Sequence, residues 1–440
     1  MTRINASLLF AFALAVFCAP VARATSHTAA SCSGADVQAS INAASSGDTV
    51  LVPGGNCTWT TNAVTIPNTK YITLDGQGIT TINWSGSGTF PGSNVSVFVI
   101  NNGTAGRTIV TGFTFNGAYE QTSGTACPIL INTTYSPVTQ AFRLHHNTFN
   151  YLDAAGSQGT IICQMGNGPG LIDHNTFVTS HGASELIHNW GDYSTAWTGQ
   201  DVVPGGSQFL YLEDNTFTYN QGGLYYGTSA IQSYDGARVV FRHNHLYQMQ
   251  IDAHGSSPNS CTNRPNTRWF EIYNNDFHTT ATNANQSNFI VIRGGSGVIF
   301  GNIHPNGESN EGAGTASLYN ECSIYPYNYD VGFGMSGNHA SPVYAWNNIN
   351  IPVTSASSNV QIGLSPGACQ LVSPNHNSCD VVSTASQPVQ LTRCQSAADV
   401  SAGCPVSYNY VPYQYPHPLT TTGTTGNSLV PPKNLTVSIQ

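Results

Sequence analysis

Leu144-His-His-Asn147-Thr-Phe149, Ile172-Asp-His-Asn175-Thr-Phe177 and Leu212-Glu-Asp-Asn215-Thr-Phe217 repeat one unit: apolar, x, polar, Asn, x, apolar. Phe241-Arg-His-Asn244-His-Leu246 and Ile272-Tyr-Asn-Asn275-Asp-Phe277 continue it. Ile299-Phe-Gly-Asn302-Ile and Ala345-Trp-Asn-Asn348-Ile are weaker copies. Successive asparagines lie 28, 40, 29, 31, 27 and 46 residues apart, so four intervals agree and two carry insertions. The flanking segments are short and rich in Val, Ile, Thr and Phe, a strand composition. Asn tolerates a left-handed bend between two such strands, and its amide can bond to the Asn one repeat away. A period of roughly 30 residues without helical spacing is one turn of a three-sided solenoid, where stacking buries what one turn cannot. An antiparallel sandwich with Asn-rich turns is the competing architecture.

The flanks agree with a solenoid. Ala35 to Ala44 has the i, i+4 apolar spacing of a short helix, and Gly47 to Pro53 reads as a strand before a Gly54-Gly55 turn. Such a helix caps the first turn, which otherwise exposes core and strand edges. Upstream, Arg3, the apolar run Leu8 to Phe17 and the A-x-A site Ala22-Arg23-Ala24 read as a signal peptide. That run is too short to span a bilayer, which takes about 20 residues. The expected organisation is a signal peptide over 1–24, an all-β right-handed parallel β-helix with its cap over 25–350, and an irregular disulfide-bearing C-terminal appendage over 351–440. Within the last, the aromatic and proline-rich run Tyr408 to Pro418 either packs across the final turns or holds sugar rings. A secreted monomer, extracellular or periplasmic and without a membrane span, is expected.

Cysteine usage points the same way. Of 11 cysteines, Cys18 falls in the signal peptide, which leaves an even number for an oxidising compartment. Connectivity stays open, but sequence neighbours suggest Cys32–Cys57, Cys369–Cys379 and Cys394–Cys404, leaving Cys127–Cys163 and Cys261–Cys322. None stands in a zinc-type C-x-x-C pattern. Charged residues make up only 8% of the chain and the net charge is −9, which argues against nucleic acid as a partner. Lysine is confined to Lys70 and Lys433, which leaves little lysine for use as a catalytic base.

The stretch Cys32 to Trp59, the Asn-bearing repeats and Gly294-Gly295-Ser296-Gly297-Val-Ile-Phe-Gly-Asn302 together resemble the pectin-lyase-like superfamily. More narrowly, they are similar to secreted right-handed parallel β-helix repeat proteins. The resemblance covers about residues 32 to 350. It implies the fold and a polysaccharide partner, but lyases, hydrolases and adhesins share that fold. Lyases of this kind neutralise a uronate carboxylate with calcium or Arg and take an Arg, Lys or His as base.

Residues at one offset from the repeated Asn should stack into columns about 4.8 Å apart. Two before the Asn, the column reads His145, Asp173, Glu213, Arg242, Tyr273, Phe300, Trp346, and alternation points it away from the core. A polar stripe grading into an aromatic one suits an elongated sugar, although an ordinary solvated face reads the same way. Charge is densest between residues 234 and 293: Tyr234, Asp235, Arg242, Asp252, His254, Arg268 and Arg293. Asp235 and Arg293 both stand nine before their Asn, which predicts one column. Structural ion pairs are the alternative use of these groups.

The reaction that best fits is β-elimination on an acidic, uronate-containing glycan. His254 is the candidate base, since imidazole titrates near neutral pH, and Arg268 and Arg293 clamp the carboxylate. Glu213, Asp173, Tyr234, Asp235, Arg242, Asp252 and Tyr273 are candidate substrate contacts. Leu-Ile-Asp173-His174 resembles a fragment of a pectate-lyase pattern but lacks its Trp. Glycoside hydrolysis of the polygalacturonase type is weaker, because only His254-Gly255 matches its motifs and the paired aspartates are missing. A non-catalytic glycan-binding or structural β-helix is the remaining reading.

Overall fold

The computed structural model describes residues 24–84, 96–103, 106–117, 119–120, 127–133, 141–151, 159–180, 185–191, 202–220, 228–234, 236–254, 267–279, 288–308, 315–318, 343–355, 362–363, 371–373, 376–377, 381–393 and 406–421. Each repeated Asn joins two short strands, and each strand pairs with its counterpart in the next repeat. The strands before the Asn form a first row: Phe142–His145, Gly170–Asp173, Leu210–Glu213, Arg238–Arg242, Trp269–Tyr273, Gly297–Phe300 and Val343–Trp346, all parallel. Those after it form a second row: Thr148–Tyr151, Thr176–Thr179, Thr216–Tyr219, His245–Tyr247 and Asp276–His278. A third row of ten strands runs in chain order from Val64–Ile66 to Val353–Ser355, also parallel throughout. The described chain is thus mostly β with long parallel sheets, and the antiparallel sandwich is excluded.

The corner differs from expectation in one respect. The left-handed residue is the one before the Asn: His146, His174, Asp214, His243, Asn274, Gly301 and Asn347 all have φ between 53° and 65°. The Asn itself is buried and builds a ladder. The Asn147 N–H donates to Asn175 Oδ1 (2.9 Å), and the Asn175, Asn215 and Asn244 N–H groups each donate to the next Oδ1 at 3.0 Å. Each side-chain amide also donates to a neighbouring strand carbonyl, as Asn215 does to Ile172 O (2.8 Å). The ladder continues through Asn275 and Asn302 to Asn348. One repeat earlier, Gly112 (φ 75°) takes the corner and the Phe113 N–H meets Asn147 Oδ1.

Alternation then sorts the side chains. Leu144, Ile172, Leu212, Phe241, Ile272 and Ile299 line the core on one side of the corner. On the other side Phe149, Phe177, Phe217, Leu246 and Phe277 stand in register, with the first three rings stacked at 4.6 and 4.7 Å between centroids. At the N-terminal end the helix Gly34–Ala43, capped by the Ser33 hydroxyl at the Asp36 N–H, buries Val37 and Ile41 over the first turn. Cys32–Cys57 and Cys127–Cys163 are disulfides, with Cα atoms 5.7 and 5.5 Å apart. The other three suggested pairs lie outside the described residues, as do residues 1–23 of the expected signal peptide. No helix of the described residues is long and apolar enough to cross a membrane. The parallel pairing runs past residue 350: Val381–Thr384 stacks on Val343–Trp346.

The outer face of the first row is not the open stripe its sequence implies. The column His145, Asp173, Glu213, Arg242, Tyr273, Phe300, Trp346 is in register, but residues 408–421 return across it as a roof. Arg242 is fully buried: it donates to Glu213 (2.8 Å), Tyr273 Oη (2.9 Å), Tyr413 O (2.7 Å) and Gln414 O (2.8 Å). The His417 N–H caps Glu213 Oε1 (2.8 Å), and Tyr410 Oη donates to Glu271 (2.7 Å). Arg143 holds Asp173 with two bonds of 2.8 and 2.7 Å and reaches Thr420 O. Asp173, Glu213, Arg242 and Tyr273 therefore do not face a substrate. In a chain so poor in charge, these ions fasten the C-terminal segment down.

Candidate functional site

The candidate site occupies the outer face of the third row. Along its strands Ile187, Ile231, Ile251 and Ile290 point into the core, so their immediate successors point out. Those successors are His188, Gln232, Asp252 and Val291, aligned strand to strand. Two further along, the register places Trp190 beside residue 234. The next two steps follow from the His254 N–H bonding to Ser233 O and the Arg293 N–H to Ala253 O, both within 3.0 Å. Trp190, Tyr234, His254 and Arg293 thus occupy one register line over four neighbouring strands.

The groups on this face are coupled. Arg293 forks onto Asp252, with its Nε 3.2 Å from Oδ1 and a close Nη2–Oδ2 contact. Gln232 Nε2 also donates to Asp252, at 3.3 Å. Burial pushes the Asp252 carboxyl up, but Arg293 and His254 outweigh it and hold it below its ordinary value. His188 pairs with Glu185 and packs edge-on against Trp190, 4.9 Å between ring centroids. Arg268 comes from the adjoining corner: Thr267, its neighbour, bonds His254 O through both its N–H and its hydroxyl (3.2 Å each).

The structure thus gathers His254, Arg293, Asp252 and, by its backbone, Tyr234, and places Arg268 beside them. It does not leave them open. His254 is 9% exposed and Arg268 2%, while the Arg293 side chain keeps 17%. Asp235 lies outside the described residues, as does the Tyr234 side chain. The partners of Arg293 across the row are residues 254 and 234. Counting back from the Asn misaligned them because the loops between the third and first rows differ in length. Sequence reading missed His188, Trp190 and Gln232; the alternation in Leu186-Ile-His-Asn-Trp190 was the signal available.

A calcium ion at this face finds a poor donor set. Among the described residues it offers Asp252 and Glu185, each already engaged by a cation or imidazole, against the roughly six to eight oxygens calcium takes.

No family model and no curated protein matches the chain. Among solved structures it is similar to the alginate lyase from Paenibacillus sp. str. FPU-7, with a TM-score of 0.40 and 10% identity over 82% of this chain and 98% of that one.

Proposed function

We propose that the chain is a secreted right-handed parallel β-helix that cleaves an acidic polysaccharide by β-elimination at the outer face of the third row. The right hand follows the strong general preference for right-handed crossovers between parallel strands of one sheet. Two disulfides suit secretion. The observation that carries the activity is the register line of Trp190, Tyr234, His254 and Arg293, braced by Asp252. Strand spacing makes that line about 14 Å long, the length of a few consecutive sugars.

The roles follow from the chemistry. Arg293, aimed by Asp252, pairs with the uronate carboxylate and stabilises the charge that builds as the C5 proton leaves. His254, one strand away, takes that proton; the electron pair forms the C4–C5 double bond and expels the C4 oxygen. The departing C4 oxygen takes its proton from solvent, and Trp190, further along the line, offers a ring for stacking. Arg268 supports the corner.

Pectate, alginate and glycosaminoglycans should be screened for the absorbance of unsaturated uronate. His254→Ala should lower kcat by about 10²–10⁴-fold with little change in binding, because a base acts in the transition state. Arg293→Ala should raise KM as well. The burial of His254 and Arg268 favours a second reading, a non-catalytic glycan-binding β-helix. Saturable glycan binding without any unsaturated product would establish that reading and sink the lyase.

A further inference from the structure

The second row presents a different outer face, and its chemistry is not used by the lyase reading. Over most of its length this face carries Thr and Asn, as in the amide ladder from Asn150 through Asn116 to Asn83 (3.1 Å each). At two adjacent strands the character changes. His245 and Tyr247 stand directly beside Asp276 and His278, residue for residue.

We propose that His245, Asp276 and His278 form a binding site for a divalent transition-metal ion of the zinc class. Three observations support it. Their donor atoms all lie within 4.8 Å of one another. The His245 Nδ1 to Asp276 Oδ2 distance is 3.2 Å, about the edge of a tetrahedron built on zinc bonds of roughly 2.0–2.1 Å. His278 holds Glu308 Oε1 at 2.8 Å through Nδ1, which leaves Nε2 as its metal-binding nitrogen.

That last contact is the carboxylate–imidazole–metal relay that orients metal-bound histidines. Glu308 is itself fixed by the Thr279 N–H (2.8 Å), and Tyr247 stacks on the His278 ring with centroids 4.7 Å apart. The ligating imidazole is therefore set in place by a carboxylate on one nitrogen and a ring on its face. Two imidazoles and one carboxylate suit zinc and its neighbours, whereas calcium and magnesium prefer all-oxygen sets. Three protein ligands on a half-open face leave a coordination position for water or an anionic oxygen. The ion would also bridge two adjacent strands.

The test uses the full mature chain, stripped with chelator and titrated with Zn²⁺ alone by calorimetry, then with Co²⁺ by visible absorption. No glycan is present, so the result is independent of the lyase reading. The expected outcome is one zinc per chain, a cobalt spectrum of low coordination number, and a rise in melting temperature with zinc. Asp276→Asn, at a side chain 40% exposed, should abolish these without lowering the metal-free melting temperature. His278→Ala should abolish them relative to its own metal-free baseline, since it also gives up the Glu308 bond and the Tyr247 stacking. Glu308→Gln should weaken binding about 10–100-fold while keeping stoichiometry. Binding that survives His245→Ala and His278→Ala unchanged would place the ion elsewhere, for example at the His146–His174 pair, and overturn the assignment. So would an absence of zinc binding to the unaltered chain.

Discussion

At the scale of the residue, the repeated Asn does two jobs that no other side chain combines. Its carbonyl oxygen takes both the N–H and the side-chain amide of the preceding Asn, and its own amide closes on two strand carbonyls. All of this happens in the dry interior, where an unmade bond costs more than a made one contributes. Asn215→Ala takes the acceptor from the Asn175 N–H, while the Asn175 side-chain amide keeps Leu144 O and Asp173 O. The substitution should lower the unfolding free energy by about 1–3 kcal/mol for each group left unpaired. Thr216→Ala, one residue on and half exposed, should stay within about 0.5 kcal/mol of the parent. Urea unfolding of the two variants separates these outcomes; equal effects would mean the ladder contributes nothing beyond its neighbours.

At the scale of the element, the C-terminal segment is held by atoms that must keep particular charges. His417 Nδ1 accepts the Leu419 N–H at 3.1 Å, which requires that nitrogen to be unprotonated. Burial, and next the charge of Arg242, push the His417 pKa down to about 3. The sign is that of a depressed group. Above the ordinary imidazole range both folded and unfolded states are neutral here, and His417 adds no pH dependence. As pH falls from about 6.5 towards 3, the unfolded chain takes a proton that the folded one refuses, and stability is lost. The roof should therefore loosen on acidification before the parallel rows do. His417→Asn keeps an oxygen acceptor but does not titrate, and it should flatten the melting temperature across that window. An unchanged acid slope in that variant would assign the effect elsewhere, His145 being the next such group, with a pKa lowered to about 4 by burial and then by Arg143.

At the scale of the whole molecule, stability is built from contacts between neighbouring repeats, so a staple acts where it closes sequence that stacking alone must order. Cys127–Cys163 joins the start of one third-row strand to the middle of the next, closing 36 residues. The chain-entropy account gives such a loop roughly 4 kcal/mol. Cys127→Ala with Cys163→Ala should lower the unfolding midpoint in guanidinium accordingly and raise protease sensitivity near residues 127–163. A midpoint unchanged within error would mean that stacking alone holds this part of the third row.

Much of this was legible in the amino-acid order because it is local and periodic. The Asn spacing, the apolar residues three before and two after it, and the cap around Val37 and Ile41 follow from alternation and repeat length. The Cys32–Cys57 pair, 25 residues apart, was readable from nearness alone. Asp252, His254 and Arg293 stood out because charge is scarce, and they do share one face. Three things needed the tertiary structure. The line beside His254 depends on loops of unequal length, which no offset from the Asn can align. The roof over Arg242 comes from Tyr413, 171 residues away, so a column that alternation sends outward is nonetheless buried. The His245–Asp276–His278 cluster exists only because two strands come into register across a turn of the chain. Periodicity specifies which side of a strand a residue faces; only packing decides what lies against it.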